Sequence, residues 1–248
     1  MKTAIPVPED KSLTIGEYIE AGVPDCGRDW LSADVQKAAE ALAAIESRQP
    51  GSLPRCHSQR SGRLFDRITS CGNLQILTDH SQTILVRMQL WLGYSEAANR
   101  ITKLYLAAFA AGQVADEEMI EMSRTTLSTM AIGMDLVDEF LPTLDKNDPT
   151  YAVRMEGLEK FRAGAAHVVM GCLIVVDQPE YYREELRGRL LEYMKETCPS
   201  ILRTMTPNAR KETLVTVQRM MEEPGLAALR GQLAEIRALI EEADRVAP

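Results

Sequence analysis

The chain has 248 residues, of which 45% are hydrophobic, 26% are charged and only 5% are aromatic. This length supports one large domain or two small ones with a substantial core. Such a core must be built mainly from aliphatic residues, which favours helices, because strands prefer aromatic and β-branched residues. The formal net charge of −8 argues against a nucleic-acid-binding protein, since binding phosphates requires a basic surface.

Segments that would direct the chain to a membrane or out of the cell are not expected. The first 30 residues lack the basic start and apolar core of a signal peptide. The longest apolar run, Ala163–Val176, has 14 residues and includes His167, whereas a membrane span needs about 20 residues. The five cysteines are scattered without a CxxC pair, which is typical of reduced thiols. We therefore expect a soluble, cytoplasmic protein.

The N-terminal quarter of the chain contains two predicted helices and one clear loop. Residues 1–30 are rich in proline and glycine and are interpreted as a strap with one short helix near Leu13–Ala21. A longer helix is expected from Ser32 to the Pro50-Gly51 pair. The following segment, residues 49–62, is the clearest loop; it is a candidate mobile segment and a possible domain boundary.

Beyond this loop, helix is predicted to follow helix with short connections. We expect Gly93 to interrupt one helix and Asp116, followed by two glutamates, to cap the longest helix. The Asp148-Pro149 pair is expected to begin a helix that reaches Val176, with the acid as cap and the proline in the first turn.

The last helix, residues 224–246, has apolar residues alternating by three and four, at Leu226, Leu229, Leu233, Ile236, Ile240 and Ala243. This pattern predicts a packing seam that either buries against the rest of the chain or forms a homodimer.

Taken together, the predicted elements indicate an all-α fold, a multi-helix bundle or short α-solenoid of about nine helices, with residues 31–248 as a single domain.

Five carboxylates cluster in the segment 133–149, GMDLVDEFLPTLDKNDP. On a helical wheel, Asp135 and Glu139 lie on the polar arc of the helix, whereas Asp138 falls within its apolar stripe. Because a buried carboxylate is costly unless it is paired or hydrogen-bonded, we expect Asp138 to have a partner.

The same helix end resembles the aspartate-rich helix motif of class I terpenoid synthases, through Asp135, Asp138 and Glu139. The resemblance implies Mg²⁺ ions held against a diphosphate substrate. Met134 stands where that family has another aspartate, and the second metal-binding motif of the family is missing from this chain.

A row of glycines runs along the next predicted helix. Gly157, Gly164 and Gly171 recur every seven residues, with Ala163 and His167 beside them. Glycines inside a helix cost about 1 kcal/mol each relative to alanine, so the row indicates that something approaches closely. That partner is either a neighbouring helix or a small molecule in a pocket with His167 as its polar group, in which case His167 and Asp138 are a candidate pair.

Basic residues flank the loop of residues 49–62 at Arg48, Arg55, Arg60, Arg63 and Arg67. They either dock an acidic protein surface or a phosphate, with Arg60, Arg63 and Arg67 as candidate binding residues, or form a solvated surface. Cys56 and His57 are adjacent in the same loop, but adjacent residues rarely complete a zinc site without a CxxC partner. No metal site and no cofactor are therefore predicted.

The sequence contains none of the common catalytic motifs: it has no glycine-rich phosphate loop, no GxSxG and no HExxH. The leading hypothesis is a non-enzymatic helical module for protein–protein interaction, of the inhibitor, immunity, adaptor or scaffold type. The alternative is a helical enzyme or small-ligand binder with a central polar site of Asp138, Asp135 and His167, using Mg²⁺ and a diphosphate. Neither hypothesis involves nucleic acid or a membrane.

Overall fold

Helices account for nearly all of the regular structure, as expected from the composition. The computed structural model describes residues 9–23, 30–70 and 74–246. It is 77% helical, with no strand and with ten α-helices in the described residues, against the nine or so expected. The all-α prediction is confirmed. The helices are α1 Ile15–Glu20, α2 Ser32–Arg48, α3 Gly62–Thr69, α4 Gln75–Thr78, α5 Ile84–Ala110, α6 Asp116–Phe140, α7 Tyr151–Val176, α8 Glu184–Thr204, α9 Pro207–Glu222 and α10 Arg230–Val246.

The chain divides into two compact units. Of the described residues, unit 1 contains 9–23, 30–70, 74–79 and 89–126, and unit 2 contains 80–88 and 127–246. Helices α5 and α6 therefore contribute residues to both units. The loop of residues 49–62, the predicted boundary, lies within unit 1. The single domain expected from residue 31 onward stays a prediction.

In unit 1, the short helix predicted in the N-terminal strap is confirmed as α1. It begins with a capping box, in which the Thr14 hydroxyl accepts a hydrogen bond from the Glu17 N–H and the Glu17 carboxylate accepts one from the Thr14 N–H. The core of this unit is built around Trp30, Tyr105 and Phe65, each at most 1% exposed. Phe65 and Tyr105 make an edge-to-face ring contact with centroids 5.7 Å apart.

The predicted break at Gly93 is wrong, because α5 runs without interruption from Ile84 to Ala110. A Cβ atom added at Gly93 would lie 2.9 Å from the Cβ of Ser32, a distance that side chains do not tolerate. The glycine therefore serves the close packing of α5 against the start of α2. The three- and four-residue apolar spacing on both sides of Gly93 keeps the helix continuous at a cost of about 1 kcal/mol relative to alanine.

The predicted start of α7 is displaced by two residues. Asp148 does not cap the helix directly; its carboxylate accepts hydrogen bonds from the N–H and the hydroxyl of Thr150, both at 2.7 Å. These bonds hold the pKa of Asp148 below its ordinary value. They form a local turn that leads into the first helical residue, Tyr151.

In unit 2, α10 packs against α8 and α9, and α7 packs against the same two helices. The apolar seam predicted in the C-terminal helix is confirmed: Leu233, Ile236 and Ile240 are at most 1% exposed. These side chains are already buried against the chain itself. The sequence also allowed a homodimer through residues 224–246. Such a dimer would have to use these same side chains, which are buried within the single chain.

Arg210 of α9 makes a buried polar connection to α8 and α10 inside unit 2. Its side chain is 3% exposed and pairs with Asp244 of α10. The same guanidinium donates to the carbonyl oxygens of Leu202 and Met205 at the end of α8. It therefore satisfies acceptors that the end of a helix leaves free. Among the described residues, none of the helices combines the length and the apolar character needed to cross a membrane.

Candidate functional site

The predicted polar site at the end of α6 is organised by an arginine from α8. Arg203 Nη2 lies 3.0 Å from the Asp135 carboxylate and 3.7 Å from the Asp138 carboxylate. The expectation that Asp138 has a partner is met by this arginine. The expectation that Asp138 is buried is wrong, because 40% of its side chain is exposed. Near the end of α6 the wheel position of Asp138 faces solvent, although the neighbouring Leu136 and Val137 are buried.

The charges of this cluster leave little room for the proposed metal chemistry. Partial burial raises the pKa of Asp138, and the neighbouring Asp135 carboxylate raises it further, while Arg203 opposes both effects. Arg203 supplies the positive charge that a divalent cation would otherwise bring. Mg²⁺ would have to displace this guanidinium before both carboxylates could bind the ion.

His167, the third residue of the predicted central site, lies elsewhere. It is on the exposed side of α7, and in the described part of the chain no hydrogen bond or ion pair joins it to Asp138. The three glycines that are spaced seven residues apart lie on this same side, opposite the buried face of the helix. The structure therefore places Asp138 and Asp135 together but leaves His167 out of their cluster.

The two sides of α7 are both largely apolar, but only one is covered. Its covered side consists of Leu158, Ala165, Val169, Cys172, Leu173 and Val176, which are buried and belong to the helix that packs on α8 and α9. Its other side, named here the α7 open face, consists of Val153, Gly157, Ala163, Gly164, His167, Gly171 and Ile174. Of these, Val153 is 70% exposed and Ile174 is 55% exposed. A helix that is apolar all round is normally buried on all sides.

The glycines of the α7 open face have no close neighbour among the described residues. A Cβ atom added at Gly157, Gly164 or Gly171 would meet nothing within 4 Å among the atoms described. Among the described residues, no other helix approaches these glycines at short distance, so the neighbouring helix or small molecule expected there stays a prediction. From Ala163 to Ile174 the face carries no Asp, Glu, Lys or Arg, so it is both flat and uncharged.

Exposed apolar residues on α5 have a different setting. Leu85, Leu92 and Leu106 are about half exposed, at 57%, 56% and 49%, but exposed charged residues such as Glu96 and Lys103 separate them along the same side of the helix. Scattered exposed leucines of this kind are normal on protein surfaces. On the α7 open face, the exposed Glu156 and Lys160 likewise follow Val153. The stretch from Ala163 to Ile174 differs from α5 because it has no charged residue.

The predicted arginine cluster of unit 1 separates into two groups. Arg60 and Arg63 are exposed and Arg67 is half-buried; Arg60 lies 3.5 Å from Glu17 in a surface ion pair. Arg55, by contrast, is buried and lies 3.4 Å from Glu118, whose side chain is 2% exposed. Such a surface pair contributes about 0–1 kcal/mol, whereas breaking a buried pair is costly.

The loop of residues 49–62, which was a candidate mobile segment, is tied to unit 1 by buried hydrogen bonds. The Tyr105 hydroxyl donates to the Pro54 carbonyl at 2.8 Å. The Glu118 carboxylate accepts hydrogen bonds from the N–H of Cys56 at 2.9 Å and from the Cys56 thiol at 3.1 Å. Its other oxygen accepts from the Ala115 N–H at 2.7 Å, which closes the first turn of α6.

Glu118 and Arg203 were not predicted as partners from the sequence. Each residue lies about 60 positions or more from the group that it pairs with, and neither stands in a recognisable motif. The one available signal for Glu118 was its place in the acidic first turn of α6, where a glutamate commonly reaches back to the backbone. No family model, no curated protein and no solved structure matches this chain.

Proposed function

We propose that this protein is a non-enzymatic helical protein–protein interaction module of the scaffold or adaptor type, and that its binding surface is the α7 open face. The observation that carries the proposal is the uncovered side of α7, which has no charged residue from Ala163 to Ile174 and leaves Ile174 55% exposed. Nearer the start of the helix, Val153 is 70% exposed and is followed on the same side by the exposed Glu156–Lys160 ion pair. Burying apolar side chains such as Val153 and Ile174 yields about 1.5–3 kcal/mol each when they start fully exposed. A second helix lying along the face would gain this energy.

The occupant that we propose is a second copy of the same chain, with the two α7 helices antiparallel. Val153 lies ten residues before Ala163, and Ile174 lies ten residues after Gly164. A two-fold axis at the Ala163–Gly164 step therefore places Val153 of each copy beside Ile174 of the other. Such a self-complementary patch is what an isologous dimer requires.

The small residues support the same arrangement. Ala163 and Gly164 stand at the proposed crossing point, where the two backbones come closest. A glycine permits close approach because it has no side chain, and the space around its α-carbon is open in the single chain. The helical cost of the glycine row is then offset by packing that the isolated chain lacks.

A cytoplasmic location is part of this proposal. Cys56, Cys172 and Cys198 are free thiols, which fits a reducing compartment. Cys26 and Cys71, also expected to be reduced, lie outside the described residues.

The proposal is tested by sedimentation equilibrium of the full chain and of two matched glycine variants. Gly164→Leu adds a side chain that meets nothing in the single chain and removes a helical glycine, so the monomer should gain about 0.5–1 kcal/mol. Gly231→Leu does the same in α10, away from the proposed interface. Gly231 also tests the C-terminal helix as an alternative interface.

We expect a concentration-dependent dimer for the wild type and for Gly231→Leu, and a monomer with an equal or higher melting temperature for Gly164→Leu. A wild type that stays monomeric at every concentration would contradict the proposal. So would a Gly164→Leu variant that associates as strongly as the wild type, or a dimer that only Gly231→Leu disrupts.

A further inference from the structure

Three potential metal ligands of different chemistry meet beside the N-terminus of α6. They are the Cys56 Sγ, an imidazole nitrogen of His57 and a carboxylate oxygen of Glu117, and these atoms all lie within 4.8 Å of one another. His57 Nε2 is 3.2 Å from Glu117 Oε2. All three residues belong to unit 1, so the cluster is formed within one compact part of the chain.

The surroundings fix the cluster on one side and leave it open on the other. The buried Glu118 carboxylate accepts a hydrogen bond from the Cys56 N–H, which holds the loop against the first turn of α6. Glu117 is the residue next to Glu118 and its side chain is 24% exposed, while the His57 side chain is 77% exposed. An ion from solvent can therefore reach His57 and Glu117, and Cys56 beside them is half-buried.

We propose that Cys56, His57 and Glu117 form a binding site for Zn²⁺. Sulfur, imidazole nitrogen and carboxylate oxygen together are the ligand types that zinc takes in proteins, whereas Mg²⁺ and Ca²⁺ take oxygen. Three protein ligands leave the fourth tetrahedral position to water.

The geometry needs only a small closure. Zinc–ligand distances of about 2.0–2.3 Å in a tetrahedron place neighbouring ligand atoms about 3.5 Å apart. The widest separation in the cluster is within 4.8 Å, so the atoms must close by about 1 Å. The exposed His57 side chain can supply this movement without disturbing the core.

The charge of the site changes in a defined way when zinc binds. The Cys56 thiol, which now donates to Glu118 Oε1 at 3.1 Å, loses its proton to solvent and binds as the thiolate. The thiolate and the Glu117 carboxylate then supply two negative charges to the ion, while the nearby Glu118 carboxylate stays paired with Arg55. The two charges outweigh the positive end of the α6 dipole, which corresponds to about half a charge.

The sequence alone pointed to two of these residues but not to the third. Cys56 and His57 are adjacent, and without a CxxC pair they did not predict a metal site. Glu117 is 60 residues further along the chain and is brought to them only by the packing of the loop against α6.

Cobalt titration tests this site because Co²⁺ bound to a thiolate gives a sulfur-to-metal charge-transfer band, and tetrahedral Co²⁺ gives intense visible absorption. The full-length reduced chain is titrated with Co²⁺ and the bound cobalt is then displaced with Zn²⁺. The variants are Cys56→Ser, His57→Ala and Glu117→Gln. The control is His80→Ala, which removes another exposed histidine that lies 3.9 Å from a carboxylate, Glu139, but has no cysteine ligand among the described residues.

We expect one Co²⁺ per chain in the wild type and in His80→Ala, with the charge-transfer band lost in Cys56→Ser. His57→Ala and Glu117→Gln should bind the ion at least about tenfold more weakly. The proposal fails if the wild type shows no charge-transfer band, or if Cys56→Ser retains it. It also fails if folded His57→Ala and Glu117→Gln, checked by far-UV circular dichroism, bind Co²⁺ as tightly as the wild type.

Discussion

Glu118 is a residue of unit 1 whose replacement should be costly. Its side chain is 2% exposed and lies 3.4 Å from the guanidinium of Arg55, whose side chain is 10% exposed. Its two oxygens also accept hydrogen bonds from the backbone N–H groups of Cys56 and Ala115. Glu118→Ala removes all of these acceptors and leaves the Arg55 charge buried without its partner.

The expected loss of stability follows from these contacts. Breaking a buried ion pair by removing one partner typically costs about 3–5 kcal/mol, because the remaining charge stays desolvated. Arg55 keeps one long hydrogen bond to the Gln113 carbonyl, at 3.4 Å, which does not replace a carboxylate. We therefore expect the free energy of unfolding of unit 1 to fall by about 3–5 kcal/mol.

Tryptophan fluorescence is a selective probe for this effect. The chain has two tryptophans, and both Trp30 and Trp91 belong to unit 1, where they are 1% and 6% exposed. In urea, a loss of about 3 kcal/mol at a slope of about 1–3 kcal/mol per molar lowers the midpoint of the fluorescence transition by at least about 1 M.

The neighbouring glutamate is the matched control. Glu117 is more exposed, and its partner His57 is 77% exposed, so Glu117→Ala in metal-free buffer should cost less than about 1 kcal/mol. A Glu118→Ala midpoint that lies within experimental error of the Glu117→Ala midpoint would refute the assignment of Glu118 as the anchor of the loop.

Three further predictions concern unit 2. Asp138→Asn should change stability by less than about 1 kcal/mol at pH 7. Because the pKa of Asp138 is raised in the folded state, its contribution to stability falls as pH rises above 3.8. Urea unfolding measured across this pH range should show that the variant lacks this fall in stability. Burial raises the pKa of Cys172 to about 12 and also raises that of Cys198. Mass spectrometry should therefore find both thiols unalkylated at pH 8 in the native chain and alkylated in denaturant. Alkylation of either thiol in the native chain would contradict this. Arg210→Ala should cost about 2–3 kcal/mol, discounted because Asp244 is partly exposed. The loss should lower the midpoint of the far-UV circular dichroism transition in urea, and an unchanged midpoint would contradict this role of Arg210.

The sequence predicted the helices well because their apolar residues follow the helical period. The last helix is the clearest case: the side chains at Leu233, Ile236 and Ile240 that define its seam are the ones buried against α8 and α9. Gly93 shows where local rules failed, since the same residue that ends many helices here permits contact with Ser32. That contact depends on tertiary packing and leaves no local signal.

The candidate sites were less predictable than the helices. The helical period of the sequence placed Gly157, Gly164 and Gly171 on one side of α7. It did not predict whether that side faces the core or solvent. For Asp138, the requirement for a partner was derived from the cost of burial, yet the identity of Arg203 depends on how α8 lies against the end of α6. Pairings over such sequence distances follow from packing and not from spacing along the chain.

The central claim is that two copies of the chain pair through the α7 open face. Disulfide cross-linking at the proposed two-fold axis tests it most directly. Helices that cross at small residues lie about 8 Å apart, which brings Cβ atoms near the axis to the 3.5–4.5 Å that a disulfide spans. Under mild oxidation, Ala163→Cys should form a covalent dimer on non-reducing gels well above the wild-type level. Val215→Cys, which is also exposed but lies on α9, should stay at the wild-type level. If Ala163→Cys cross-links no more than the wild type or than Val215→Cys, the α7 open face is not where two copies meet.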